Sequence, residues 1–180
     1  MIALSPTPVL ETERLVLRAP AQKDWPLWRA FHQSDRSDFV RPGATFDEGQ
    51  SWRSWAAVVG HWVMRGWGPF VVTQKASDRG VGLVGPWQPA GWPEAELLWT
   101  IWDAKDEGRG IMAEAASAAR RYAFDVLGWP TAVSYIDEKN TRSAALAGRL
   151  GACADPEASV PAGKGQIVAW RHPALKETRV

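Results

Sequence analysis

The chain has 180 residues, 46% of them hydrophobic and 23% charged, with a formal net charge of +1. This suffices for one domain over residues 1–180 with a sizeable core, and the near-neutral balance offers no global attraction to nucleic acid or anionic lipid. No apolar run approaches a membrane-spanning length and the first residues lack a signal-peptide pattern, so a cytoplasmic protein without membrane association is expected. The single Cys153 excludes an internal disulfide, while His32, His61 and His172 lack metal-ligand spacing and read as surface or capping residues; no metal is expected.

In chain order, Arg14 to Ala19 reads as a first strand. Asp24 is placed to cap a short helix from Trp25 with Pro26 in its first turn, and Asp47 with Gln50 forms the capping-box pair of a longer helix through Met64. Phe70 to Thr73 and Val81 to Val84 form a hairpin around Ala76-Ser77-Asp78-Arg79-Gly80. A strand at Ala95 to Trp102 runs into Glu107-Gly108-Arg109-Gly110-Ile111 and then into an alanine-rich helix. In that helix Met112, Ala115, Ala116, Ala119, Ala123, Val126 and Leu127 recur at the spacing of one buried face. Glu114, Ser117, Arg120, Arg121 and Asp125 fall on the solvated side, and Gly128 with Trp129-Pro130 ends the helix. A strand at Thr131 to Ile136, a helix at Asn140 to Leu150 and a last strand at Gln166 to Arg171, after a Gly163-Lys164-Gly165 turn, complete the chain. Strands that first pair locally and then alternate with helices imply an α/β, mixed-sheet fold with helices on both faces.

Two glycines at the mouth of a helix leave backbone N–H groups unblocked by Cβ atoms and unpaired within the helix, where a phosphate can sit. A Walker-type loop is excluded because neither glycine precedes Lys-Ser or Lys-Thr, and the dinucleotide fingerprint fails for want of a third glycine three residues after Gly110. Lys105-Asp106-Glu107-Gly108-Arg109-Gly110 instead resembles the acyl-CoA loop of the GCN5-related N-acetyltransferases, departing only at Lys105, where that family has Gln or Arg. Leu10-Glu11-Thr12-Glu13-Arg14-Leu15-Val16-Leu17-Arg18 resembles the opening strand of their RimJ/RimL-like branch. Ala113-Glu114-Ala115, Asn140-Thr141-Arg142-Ser143 and Arg149-Leu150-Gly151 match its later motifs in order.

The resemblance implies a mostly antiparallel twisted sheet flanked by helices, with acetyl-CoA as cosubstrate and a primary amine as acceptor, either a protein N-terminus or a small molecule. It puts Gly108, Arg109, Gly110, Ile111 and Met112 at the pyrophosphate. Ile101 and Trp102 would lie along the pantetheine as an added strand would, and Arg142 or Arg149 would reach the 3′-phosphate. Glu96 stands at the family's catalytic carboxylate position. Strand alternation puts it on the face shared with Leu98, Thr100 and Trp102, an apolar setting that favours a raised pKa and a working base. Many members carry a Tyr seven residues after the Asn to protonate the thiolate, and this chain has Ala147 there. Ser143, on the helix face of Leu146, Ala147 and Leu150, is the substitute acid that the branch suggests, while Asn140 caps the helix and could bond the pantetheine.

The chain holds twelve tryptophans. Most are expected in the core, with Trp87, Trp92 and the neighbouring Glu94 as candidates for the acceptor pocket, where an aromatic wall suits an apolar acceptor or a cation. Two other readings stand beside the enzyme: a non-catalytic acyl-CoA sensor, since the usual Tyr is absent, and a Trp-rich module binding a peptide or a second copy of the chain as a homodimer.

Overall fold

The computed structural model describes residues 6–40, 45–162 and 166–174. One eight-stranded sheet organises it: β1 (Leu10–Glu11), β2 (Leu15–Arg18), β3 (Phe70–Gln74), β4 (Ser77–Trp87), β5 (Glu96–Ile101), β6 (Ala132–Asp137), β7 (Cys153–Ala154) and β8 (Ile167–His172), in the order β1-β2-β3-β4-β5-β6-β8-β7. Every neighbouring pair is antiparallel except β5 and β6, which run parallel and pair only at Glu96↔Val133. Beyond that register the two strands part, and the gap between them becomes the floor of the site.

The helices are α1 (Trp25–His32), α2 (Glu48–Arg65), α3 (Ile111–Arg121) and α4 (Thr141–Arg149). Alternation along β3 divides the core: Phe70 and Val72 pack with Leu15, Leu17 and the α3 residues Met112, Ala115 and Ala119, while Val71 faces Trp28, Trp55 and Val58 of α1 and α2. Because both faces are covered, β3 reads as a continuous apolar run. No described helix is long and apolar enough to cross a membrane.

The α2 capping box forms as expected, with Gln50 N donating to Asp47 Oδ1 at 2.6 Å and Asp47 N to Gln50 Oε1 at 2.9 Å. Asp24 does not cap α1 with its side chain. Its buried carboxylate is taken instead by the Arg18 guanidinium at 2.8 and 2.9 Å and by Ala21 N at 2.9 Å, because a bidentate ion pair outcompetes a neutral cap. The expected five-residue hairpin loop shrinks to Lys75-Ala76, and a bulged register near Thr73 absorbs the difference as Ser77 to Gly80 join β4.

The alanine-rich helix passes at Tyr122–Val126 into a π-helical turn. Widening the turn rotates the following side chains backwards, so Phe124 is buried and Val126 is 68% exposed, contrary to the simple 3.6-residue pattern. All three histidines are buried rather than superficial. Each sits against aromatic rings: His32 against Trp28 and Phe46, His61 between Trp67 and Trp87, and His172 against Trp99. The Gly163-Lys164-Gly165 turn lies outside the described residues, and the strand after it is observed at Ile167–His172.

Candidate active site

Between β5 and α3 the chain makes a 3-10 turn at Ala104–Asp106, followed by Gly108 and Gly110 at φ of 70° and 72°. No described atom would crowd a Cβ at Gly108, so its glycine is required by the left-handed backbone rather than by lack of space. Asp106, 2% exposed, anchors the loop through Arg79 Nη1 at 3.1 Å.

A second anchor comes from the chain's beginning. Glu114 in the first turns of α3 accepts from Thr12 Oγ1 at 2.5 Å and from Arg14 N and Nε at 3.0 and 2.6 Å, while Arg14 Nη1 donates to Arg109 O at 3.1 Å. Burial pushes the Glu114 carboxyl up, but these donors and the Arg14 charge outweigh it and hold it below the usual range. Glu114 is therefore a fastener of the loop and not a solvated residue.

Two cavities meet above the parted strands. The larger, about 900 Å³, is lined by Trp99, Thr100 and Ile101 of β5, by Gly108, Gly110, Ile111 and Met112, and by Asn140, Arg142, Ser143 and Arg149 beside or on α4. The expected loop glycines thus converge with α4 on one space. Trp102 does not line it: its indole is buried against Trp28 and Trp55, because strand alternation turns it to the opposite face from Ile101. Nor does Arg109, whose guanidinium faces Asp106 at 3.7 Å.

Arg36, which the sequence did not single out, lines this cavity as well, and Arg142, expected at the 3′-phosphate, is paired with Glu107. Glu107 accepts from Arg36 Nη2 and from Arg142 Nη1, both at 2.5 Å, and Arg36 Nη2 also reaches Ile101 O at 3.3 Å. Arg36 lies in a 3-10 turn after α1, and nothing in its local sequence signals contact with a residue 71 positions away.

The smaller cavity, about 340 Å³, runs between α1, α2 and the parted strands, and Phe39, Val40, Trp99, Thr100, Asn140 and Ser143 line both spaces. Glu96, Trp87 and Trp92 all line the smaller one. Trp92 Nε1 donates to Glu96 Oε2 at 2.7 Å, fixing the buried carboxylate. Glu94 lines neither cavity, because Arg171 holds it bidentately at 2.7 and 2.9 Å.

At the junction, Asn140 Oδ1 accepts from Ser143 N at 3.1 Å, so the expected cap is made. Ser143 Oγ accepts from Trp99 Nε1 at 3.3 Å, which leaves the hydroxyl hydrogen available for donation. Where β5 and β6 part, Ser134 Oγ donates to Leu97 O at 2.6 Å and lies 2.9 Å from His172 Nε2. Since the serine hydrogen is committed to the carbonyl, His172 donates from Nε2, and its buried Nδ1, without a hydrogen-bond partner among the described residues, is the unprotonated nitrogen of a neutral ring. Burial, with help from the Arg120 charge, pushes its pKa down to about 4, in agreement.

A family model described as an acetyltransferase (GNAT) domain matches residues 14–152. The chain belongs to the GNAT acetyltransferase family. A crystal structure of an acetyltransferase from Agrobacterium tumefaciens str. C58 is 36% identical, with 91% of this chain and 93% of that one covered at a TM-score of 0.83. Two further structures share the fold at 16% identity and a TM-score of 0.69, each over 93% of this chain. One is RimL, a ribosomal L7/L12 alpha-N-protein acetyltransferase in complex with coenzyme A, covered over 98%; the other is MccE, a microcin C7 self immunity acetyltransferase in complex with acetyl-CoA and AMP, covered over 97%. The GNAT domain is an enzyme that uses acetyl-CoA as cosubstrate, and among the described residues no group of three or more His, Cys, Asp or Glu could hold a metal ion.

Proposed function

We propose that this GNAT domain moves the acetyl group of acetyl-CoA directly to a primary amine held at Glu96, with the sequence affinities to the RimJ/RimL-like branch pointing to the same chemistry. The observation that carries the reading is the meeting of the two cavities at Ser143 and Asn140, with the glycine loop on one side and the buried Glu96 on the other. Acetyl-CoA occupies the larger space. The backbone N–H groups of Gly108 to Met112 hold the pyrophosphate, the freed edge of β5 at Ile101 accompanies the pantetheine, and Asn140 bonds it near the thioester.

The incoming ammonium passes a proton to Glu96, directly or through water, and the neutral amine attacks the thioester carbon. The C–N bond forms as the C–S bond breaks. The nitrogen, cationic after attack, loses its second proton to solvent as the amide forms; the CoA thiolate takes a proton from the Ser143 hydroxyl, which is refilled from solvent, and Glu96 returns its proton to solvent, so the products are the amide, CoA thiol and one released proton. Trp99 supports this by donating to Ser143 Oγ, which orients the hydroxyl and stabilises the transient alkoxide.

The test is thiol release from acetyl-CoA with acetylated amines identified by mass. Glu96→Gln should keep acetyl-CoA affinity and lower turnover by about 10² or more, with partial rescue as pH rises towards the pKa of the amine. Wild-type turnover in this variant would remove the base from the mechanism and leave positioning as the source of catalysis.

A further inference from the structure

The smaller cavity has a chemistry of its own. Its walls include Trp28, Phe46, Trp87, Trp92 and Trp99, and the carboxylates lining it are Glu96 and Asp137; no Lys or Arg is among the described residues around it. Such a space receives a cation joined to an apolar body and opposes an anion.

The aromatic walls are held in place before any acceptor arrives. Trp28 Nε1 donates to Ser54 Oγ at 2.9 Å, and Trp92 is fixed by Glu96 and lies edge-on to Tyr135 at 6.2 Å. Trp87 stacks on His61 at 4.7 Å. His61 is itself immobilised, with Nδ1 2.8 Å from Trp67 O and Nε2 accepting from Gln88 N at 3.0 Å, so Nδ1 carries the proton. Burial lowers the His61 pKa further, and the ring behind Trp87 stays uncharged. A preformed wall of this kind spends little binding energy on ordering.

Size bounds the occupant. An apolar cavity of about 150 Å³ holds one benzene, so about 340 Å³ accommodates roughly two rings' worth of ligand beside the amine. We infer that the acceptor is a small primary amine borne on an apolar or aromatic body without an anionic group, its rings among Trp28, Phe46, Trp87 and Trp92 and its ammonium at Glu96. This rests on the acetyl-transfer reading above and specifies its substrate class. A carboxylate on the carbon bearing the amine would enter beside Glu96, where like charges in a poorly solvated space repel strongly. A peptide longer than two or three residues would have to leave most of its chain outside.

The experiment measures thiol release from saturating acetyl-CoA with phenethylamine and tryptamine, against phenylalanine and tryptophan, ethylamine, and the tripeptide Phe-Gly-Gly, with acetyl-CoA binding followed separately by calorimetry. The arylalkylamines should exceed their amino-acid counterparts in kcat/KM by about 10²-fold or more, and ethylamine by about tenfold or more through ring burial. Ala57→Phe, at the rim on α2, should raise the KM for tryptamine severalfold while leaving that for ethylamine and the affinity for acetyl-CoA unchanged. Equal or better use of phenylalanine or Phe-Gly-Gly, or an unaltered KM for tryptamine in Ala57→Phe, would overturn the inference while acetyl transfer itself stood. Tight acetyl-CoA binding with no thiol release to any amine would overturn both readings together.

Discussion

The two cavities of the site are built on different principles. The larger rests on backbone: two left-handed glycines, the open amides at the start of α3 and the freed edge of β5. The smaller rests on side chains drawn from α1, α2, the segment before β5, β5 and β6, each packed or hydrogen-bonded into one orientation. A ligand common to a whole family can be held by groups that every residue possesses, whereas selection of one acceptor needs particular side chains. The first half therefore tolerates side-chain change and resists backbone change, and the second half behaves the other way.

The largest expected effect is read by pH at the strand junction beneath the smaller cavity, where Ser134 lines it. His172, with its neutral Nε2–H bridging to Ser134 and the β5 carbonyl, has a folded pKa of about 4 against 6.5 in the unfolded chain. Between those values the unfolded chain binds the extra proton, so stability is complete above 6.5 and falls as pH drops towards 4, by about 3 kcal/mol at most for this one group. Urea denaturation across that window should show the loss, and His172→Gln should reduce its slope. An unchanged slope would mean that other groups control acid stability and that the bridge between the parted strands does not titrate.

Gly110→Val tests the backbone half. A β-branched residue at φ of 72° is strained and its branch covers the amides, so acetyl-CoA affinity should fall on the order of 10²-fold by calorimetry. Parent-like binding would mean that the phosphate is held elsewhere. Ser143→Ala, at the junction, should lower turnover only about tenfold, because a CoA thiolate is a tolerable leaving group and water can replace the hydroxyl. Arg109→Ala should be the mildest, changing acetyl-CoA affinity by no more than about threefold, since its side chain faces Asp106 rather than the cavity and a half-exposed pair at that distance contributes little. A larger loss for Arg109→Ala than for Gly110→Val would reverse the contrast between the two halves.

The departures from the sequence expectations have separate physical causes. Trp102 and Ile101 are adjacent in the strand yet face opposite sides, so a family motif covering both carries only one of them into the cavity. Alternation from a strand begun at Ala95 would pair Glu94 with Glu96, but β5 begins only at Glu96 and Glu94 lies in the bend before it, where Arg171 on β8, reached through β6, holds it in an ion pair. Val126 was expected inside because a 3.6-residue period was extended through a π-helical turn that local composition does not announce.

By itself the sequence determined the order of the longer elements, though not the two-residue strands β1 and β7, together with the two-faced burial of the sheet, the α2 capping box, the Asn140 cap and the glycine loop, since these depend on periodicity and on partners a few residues apart. It also put Glu96 with Leu98 and Thr100, and all three line the smaller cavity. Tertiary structure alone decided that Arg36 and Arg142 close on Glu107, that Arg14 and Thr12 fasten Glu114, that His172 and Ser134 bridge the parting strands, and that distant aromatics enclose Glu96. Those contacts join residues tens of positions apart, where the energy comes from excluding water around specific groups, and no local pattern encodes which groups will meet.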